Sequence, residues 1–585
     1  MFGLEEAGIP GKQYLRESLT NCSDPLKAIE EFQVENGILL PSLRPMLPLL
    51  DLHGVKRLEF HTSVLEELRE KLIQRIEDMG KLEGKEKDKK LKELLQKSFS
   101  LIRVPSLQPV VMCILKNMTN VDDKYLKQIV SDKELYEKCD IIVKRQIWQE
   151  HQSLFGDEVS PLLSQYIKEK EAIFFNHLDP NPTFFASTPR QRRQNEIIQK
   201  LANMVGKNVL LYDTILQFLR TLFLRTKNVH YCSLRVALLM ALHDAEVQDI
   251  TTMDPCYKFA WCLDACIREK EQKIDAKRTR ELQGFLEGVR RGQEHVLGDI
   301  SMTLCDPYAI NYLANQCMKY LNHYVSLAES LPRENQTLIL LLRLLNLGLH
   351  SWDILNSQVF REPKMDPNII TRFLPILMSF IVDDQVRSLN AKLPPDDHES
   401  ALTVIEHSGP PPDLYQQFIG EDRLATILGI YYTIQVTRQK DRQGIIRVLG
   451  TLSSSQENRT LEDPYLHLLV SYFIPMAKEF INEELCTVVF DEIFLTSITQ
   501  GNVVHHLMKL LWHIHPNMSQ SRVELIMNTL ESYTYHNEAS KTLFKELENK
   551  IQDHQLAMSK VVESVQPSDE SDFPIAVPTP APHRD

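Results

Sequence analysis

The chain lacks any stretch of the roughly 20 apolar residues that a bilayer-spanning helix needs. Its longest apolar run, LILLLRLLNLGL from Leu338 to Leu349, is broken by Arg343, which predicts a buried helix and no membrane partner. A secretory leader is also missing: MFGLEEAGIPGK carries acids where such a leader carries cations, and no apolar segment follows, so secretion is not expected. Cysteine is sparse, ten in 585 residues, so no dense disulfide framework is expected and the thiols should be free in a reducing compartment. Strand-length polar/apolar alternation bounded by Asn-Gly or Asp-Gly is lacking, which argues against a sandwich or a parallel α/β sheet.

Chemical motifs are equally scarce. Gly206-Lys207-Asn208 lacks the upstream glycine and the hydroxyl of a phosphate-binding GxxxxGK[ST] loop. No GxSxG elbow, HExxH helix or GxGxxG turn is present. Neither an enzyme nor a cofactor is therefore expected. Cys256, Cys262 and Cys266 cluster, but their spacing does not fit CxxC zinc knuckles, and core packing is the better reading. His505, His506, His513 and His515 gather around Trp512 with no carboxylate or thiol in helical register, so satisfied histidines are expected rather than a metal or catalytic set.

What is present is helix after helix. At 43% hydrophobic and 25% charged residues, the composition is that of an ordinary globular chain of two to four units. Val64, Leu65, Leu68, Leu72 and Ile76 form one apolar stripe, and Leu91, Leu94, Leu95 and Phe99 form the next, across the charged linker GKLEGKEKDKK. Further stripes fall in 109–118, 140–155 and 160–175. Ser160-Pro161 reads as an N-cap with proline at the first helical position, and Asp254-Pro255, Asp306-Pro307 and Asp463-Pro464 read the same way. So many helices of roughly 12 to 20 residues cannot share one small core. The expectation is all-α: an irregular α-solenoid of HEAT- or armadillo-like helical hairpins, with compact bundles as the alternative. Tetratricopeptide and ankyrin consensus patterns are absent.

Composition shifts suggest five segments. Residues 1–185 read as an N-terminal helical domain and 186–382 as a central helical-repeat domain. A proline-rich acidic linker or loop is expected at 383–414, a C-terminal helical domain at 415–562 with a polar loop at 450–463, and a disordered tail at 563–585. Leu39, Leu40, Leu47 and Leu49 in ILLPSLRPMLPLLDL suit either core or a docking strip.

Charge is the sharpest local signal. Between Arg190 and Arg235 nine Lys/Arg stand against two Asp/Glu, a local +7 in a chain of net charge −13. Within this stretch Tyr212, Ile215, Leu216, Leu219, Leu222 and Phe223 line one helical face, while Asp213, Gln217, Arg220, Thr221 and Arg225 take the other. Arg190, Arg192, Arg193, Lys200, Lys207, Arg220, Arg225, Lys227 and Arg235 are thus candidates for contact with RNA phosphates or an acidic partner. Without an RNP motif or exposed aromatics between the arginines, base-specific reading is not expected. Any helical stack also has solvated charged faces, some of them cationic by chance. The mixed-charge run Arg268–Arg291 fits an exposed face of i, i+4 pairs.

The segments TNCSDPLKAIEEFQVENGILLPSL (20–43), SLQPVVMC (106–113), VKRQIWQ (143–149), LFGDEVSPLL (154–163), LQFLRTLFLRTKNVHYC (216–232), DPCYKFAWCLDACIRE (254–269), SQVFREPKM (357–365) and DEIFLTSI (491–498) resemble the B-type, cofactor-of-BRCA-type family of the negative elongation factor complex. The resemblance runs from near residue 15 to about 385 and returns in fragments beyond. It implies a nuclear, non-enzymatic scaffold in a complex that holds RNA polymerase II paused near promoters and represses elongation. It further implies that the N-terminal part joins negative elongation factor C/D, that the C-terminal part receives negative elongation factor E, that negative elongation factor A is reached indirectly, and that nascent RNA lies close by. No catalytic residue is carried over. A direct, sequence-non-specific RNA-binding module is the alternative.

Overall fold

In a computed structural model of the chain, the structure describes residues 17, 25–36, 57–81, 85–180, 184–268, 274–289, 293–327, 334–390, 412–452, 462–534 and 538–565. Every regular element among them is helical. The chain divides into two compact units, residues 1–156 and 157–585. The expected strip at Leu39–Leu49, the middle of the expected linker (391–411), most of the expected loop (453–461) and the tail from 566 lie outside the described residues.

In the first unit, helices Arg57–Gly80, Lys85–Ser98 and Gln108–Asn117 pack together. Their shared core holds Ile76, Leu91, Leu95, Phe99 and Ile114 and continues through Tyr125, Ile129 and Ile147. Of the stripe expected at Leu91, Leu94, Leu95 and Phe99 all but Leu94 are buried, whereas among the described side chains of the stripe on the preceding helix only Ile76 is; Leu65 and Leu72 are 56% and 47% exposed. That helix is 24 residues long. The stripe expected over 140–155 divides at His151, whose φ of −125° and ψ of 74° end helix Ile141–Glu150.

The next helix, Gln152–Phe175, corrects the reading of Ser160-Pro161 as a start: Pro161 lies inside it. A mid-helix proline removes one hydrogen bond and costs about 3 kcal/mol, but Phe155, Val159, Leu163 and Tyr166 are all buried along this helix and offset it. The other Asp-Pro signals hold better. Asp306 accepts from the Tyr308 amide with Pro307 following, and Asp463-Pro464 opens helix Asp463–Phe473. Asp254 caps a turn, accepting from the Cys256 amide at 2.8 Å, and helix Tyr257–Arg268 starts just beyond.

One core runs through the second unit from Cys256 to Ile551. Helix Pro307–Ser326 packs on Gln336–Leu349, the expected buried apolar helix, and both reach helix Arg423–Arg438 across some hundred residues of sequence. Asn322 and Gln435 seal that approach through a 2.8 Å side-chain hydrogen bond. Gly348 makes the fit of Gln336–Leu349 on His295–Leu304 possible: a Cβ there would stand 2.7 Å from the Leu304 carbonyl oxygen.

The expected linker begins later than its composition suggested. Helix Leu374–Asn390 runs through Asp383 and Asp384, both buried. Their acidity read as solvation, yet Arg447 donates to Asp383 at 3.1 Å and to Asp384 at 2.8 Å, and Arg387 also pairs with Asp384. Beyond the gap, helix Pro412–Glu421 returns Tyr415 to the same core, its ring 5.1 Å from Phe380. The expected loop is helical at 450–452, the end of Arg442–Leu452, and the last helix, Glu538–Val565, includes the first three residues of the expected tail.

Candidate partner and nucleic-acid interface

Seven of the nine cations singled out between residues 190 and 235 sit on four consecutive helices, and Lys207 and Lys227 lie in the turns between them. Pro189–Arg193 is set by a capping box, in which the Thr188 side chain accepts from the Gln191 amide and the Gln191 side chain accepts from the Thr188 amide. Glu196–Val205 ends at Gly206, whose φ of 56° and ψ of −129° suit only glycine. Asn208 then caps Val209–Thr226 by accepting from the Leu210 and Leu211 amides. His230–Asp244 follows, buried along most of its length.

These helices do not turn the nine cations to one surface. Arg193 is buried, its Nε donating to Asp244 and its NH1 to both oxygens of Asp264 at 3.1 and 3.2 Å. Arg235 is buried too, 3.0 Å from the Thr303 hydroxyl and 3.9 Å from Asp254. Burial works against its charge, but the carboxylates of Asp254 and Asp299 more than compensate and raise its pKa. Both side chains are therefore removed from any candidate RNA surface, because a carboxylate answers each one from inside the fold. Arg220 pairs with Asp299. Arg192 is nine-tenths buried, 3.5 Å from Asp306, with its guanidinium 3.8 Å above the Tyr308 ring. Lys200 pairs with Glu196 along its own helix, and Lys227 lies 4.2 Å over Trp352. Arg190, Lys207 and Arg225 are exposed, with no carboxylate partner among the described residues. Lys207 and Arg225 flank an 18-residue helix, and its rise of about 1.5 Å per residue separates them by about 27 Å.

A different cationic feature is assembled from distant parts of the second unit. Arg190, Arg192, Arg268, Lys319 and Arg438 line a cleft of about 880 Å³ whose lining, among the described residues, includes no carboxylate. Arg268 and Arg438 are the last residues of their helices, where a cation faces the negative end of the helix dipole. Asn311, Asn315 and Lys319 repeat every four residues along Pro307–Ser326 and face the same cleft. That repeat is a sequence signal for Lys319 that the local charge count overlooks. Under the cleft lies an aromatic cluster: Tyr308 stacks on Phe184 at 5.0 Å, and Phe174 stacks on His230 at 5.6 Å. Burial, helped by the nearby Lys170 charge, pushes His230 down to about 4, so it is neutral at physiological pH.

The thiol and histidine clusters are structural in their contacts. Cys256, Cys262 and Cys266 are core residues, and all nine described cysteines are buried and outside any disulfide. His506 bonds Asp463 at 3.0 Å, His513 the His177 carbonyl at 2.9 Å, His505 the Ser540 hydroxyl at 3.1 Å and His515 the Leu511 carbonyl at 3.1 Å. Among the described residues, no group of three or more His, Cys, Asp or Glu is arranged to hold a metal ion, and no single helix is long and apolar enough to cross a membrane.

Fold and sites together define an all-α protein that answers most of its inward cations with carboxylates and brings five cations to one cleft. The chain belongs to the cofactor of BRCA1 (COBRA1) family, whose model matches residues 105–454. Relatives extend the likeness to nearly the whole length. Negative elongation factor B of Drosophila melanogaster is 59% identical over 583 residues, 99% of this chain and 97% of the relative. Its counterpart from Mus musculus is 51% identical over 554 residues, 94% of each chain. The Homo sapiens protein is 50% identical over 586 residues, 99% of each.

Proposed function

We propose that this chain is a B-type, non-enzymatic scaffold of a negative elongation factor complex, working in the nucleus to hold RNA polymerase II paused near promoters and so repress elongation. One observation carries the reading: 50–59% identity, sustained over nearly the full length, to relatives that bear the name negative elongation factor B. Stacked helical hairpins of HEAT-like type would supply long faces for helix-on-helix docking. The N-terminal part is assigned to negative elongation factor C/D and the C-terminal part to negative elongation factor E, with negative elongation factor A reached through them. The exposed Leu65 and Leu72, seven residues apart on one helix, supply the apolar anchors that an N-terminal docking site needs. The test is co-purification from cells. A tagged chain should bring down its partners in the complex and the polymerase stoichiometrically, and Leu65→Glu with Leu72→Glu should release the C/D component while keeping the E component. A wild-type chain that purifies alone would end the proposal.

A second reading, direct sequence-non-specific RNA binding, rests on the exposed Arg190, Lys207 and Arg225. Reversing all three charges should weaken RNA binding and flatten its dependence on salt. Unchanged affinity would remove these residues from any RNA surface.

A further inference from the structure

We infer that the cleft lined by Arg190, Arg192, Arg268, Lys319 and Arg438 is a docking site for a short acidic peptide segment of a partner protein. The first ground is charge. Five cations from four helices converge on about 880 Å³ with no carboxylate among the described residues of the lining, in a chain whose net charge is −13. Arg268 is shared with Asp264 and Arg192 with Asp306, while Arg190, Lys319 and Arg438 have no carboxylate partner among the described residues. The second ground is an unused donor. The Arg192 side chain is nine-tenths buried, yet its Nε–H finds no acceptor, and a buried donor left unpaired costs about 1–3 kcal/mol. A carboxylate entering the cleft would pair with the guanidinium fork, and a shift of the Arg192 side chain toward it would give the Nε–H its missing acceptor.

Two features favour a peptide over a nucleic acid strand. Single-stranded RNA gains much of its affinity from bases stacked on open aromatic faces, and here the rings are covered. Tyr308 lies between Phe184 and the Arg192 guanidinium, and Arg438 sits 5.1 Å over Tyr472 while donating to its hydroxyl at 2.8 Å. The same contacts hold the guanidinium groups in place, which limits the side-chain entropy lost on binding. A strand that releases many counterions needs a longer cationic track than five side chains, whereas a short peptide can keep its charge inside the cleft.

The inference stands on this geometry and does not require membership of the elongation complex. Its test uses the full chain, a fluorescein-labelled 12-residue Asp/Glu-Gly/Ser peptide and a U12 RNA of the same label, with binding followed by anisotropy across a salt series. The peptide should bind, and Arg190→Glu/Lys319→Glu/Arg438→Glu should weaken it at least tenfold. A control, Lys200→Glu/Lys207→Glu/Arg225→Glu, should leave binding within twofold, and matched thermal unfolding of both variants would show that the fold survives. No peptide binding, equal loss in both variants, or tighter RNA binding with the same sensitivity to the cleft substitutions would each overturn it. Co-purification of the other elongation-complex proteins with the cleft variant reports separately on assembly.

Discussion

At the scale of single residues, the outcome turns on which charges find a partner inside the fold. Arg235 is fully enclosed with Asp254 and Thr303, so Arg235→Leu would strand a carboxylate that also accepts from Tyr212 and caps Cys256. A loss of about 3–5 kcal/mol is expected in denaturant unfolding, against about 0.5 kcal/mol or less for Lys207→Ala on the surface. Lys509 is the reverse case: it is 1% exposed, and its Nζ has no hydrogen-bond partner. Burial lowers it from 10.5 to about 8, with Asp179 pulling only weakly the other way. Between those values the unfolded chain binds more protons than the folded one, so this group makes stability rise with pH from about 8 to 10.5 and weakens the fold below 8. Lys509→Met should therefore raise the unfolding midpoint at pH 7 and remove that rise; a pH profile parallel to wild type would refute it. None of this pairing was legible locally. Arg193 and Lys207 look alike in sequence, and only the return of Asp244 and Asp264, more than fifty positions away, separates them.

At the scale of elements, the sequence was more open to reading. Apolar periodicity located the helices because each buries one face, and the Asp306 cap marked a start through side-chain chemistry that acts over two or three residues. Pro161 misled for a physical reason: its φ suits a helix interior as well as a helix start, and tertiary burial decided the matter. Asp383 and Asp384 misled because the Arg447 that neutralises them lies on a later helix. Two glycines give a paired test of helix packing. Gly348→Ala should cost about 1–3 kcal/mol, since the added carbon meets the Leu304 backbone, whereas Gly284→Ala, with nothing within 4 Å, should gain up to about 1 kcal/mol of helix propensity. Thermal unfolding of the two variants checks both signs; a destabilised Gly284→Ala would contradict the account.

At the scale of the whole molecule, helix content and class were foreseeable from density of pattern alone, while the long-range closure of the second unit was not. A strict solenoid confines contacts to adjacent repeats, but here Asn322 meets Gln435 and Asn311 meets Tyr431 across more than a hundred residues. Such pairings leave no periodic trace. They also set the terms on which the protein can be dissected. Because one hydrophobic interior threads from Cys256 to Ile551, a chain stopped at residue 390 would present raw leucine and tyrosine faces to water, and the expected product is an aggregate rather than a smaller working part. Deletion mapping would then score misfolding as lost binding anywhere in that span, and the footprints of its partners are better sought by single-residue charge reversal on the intact chain.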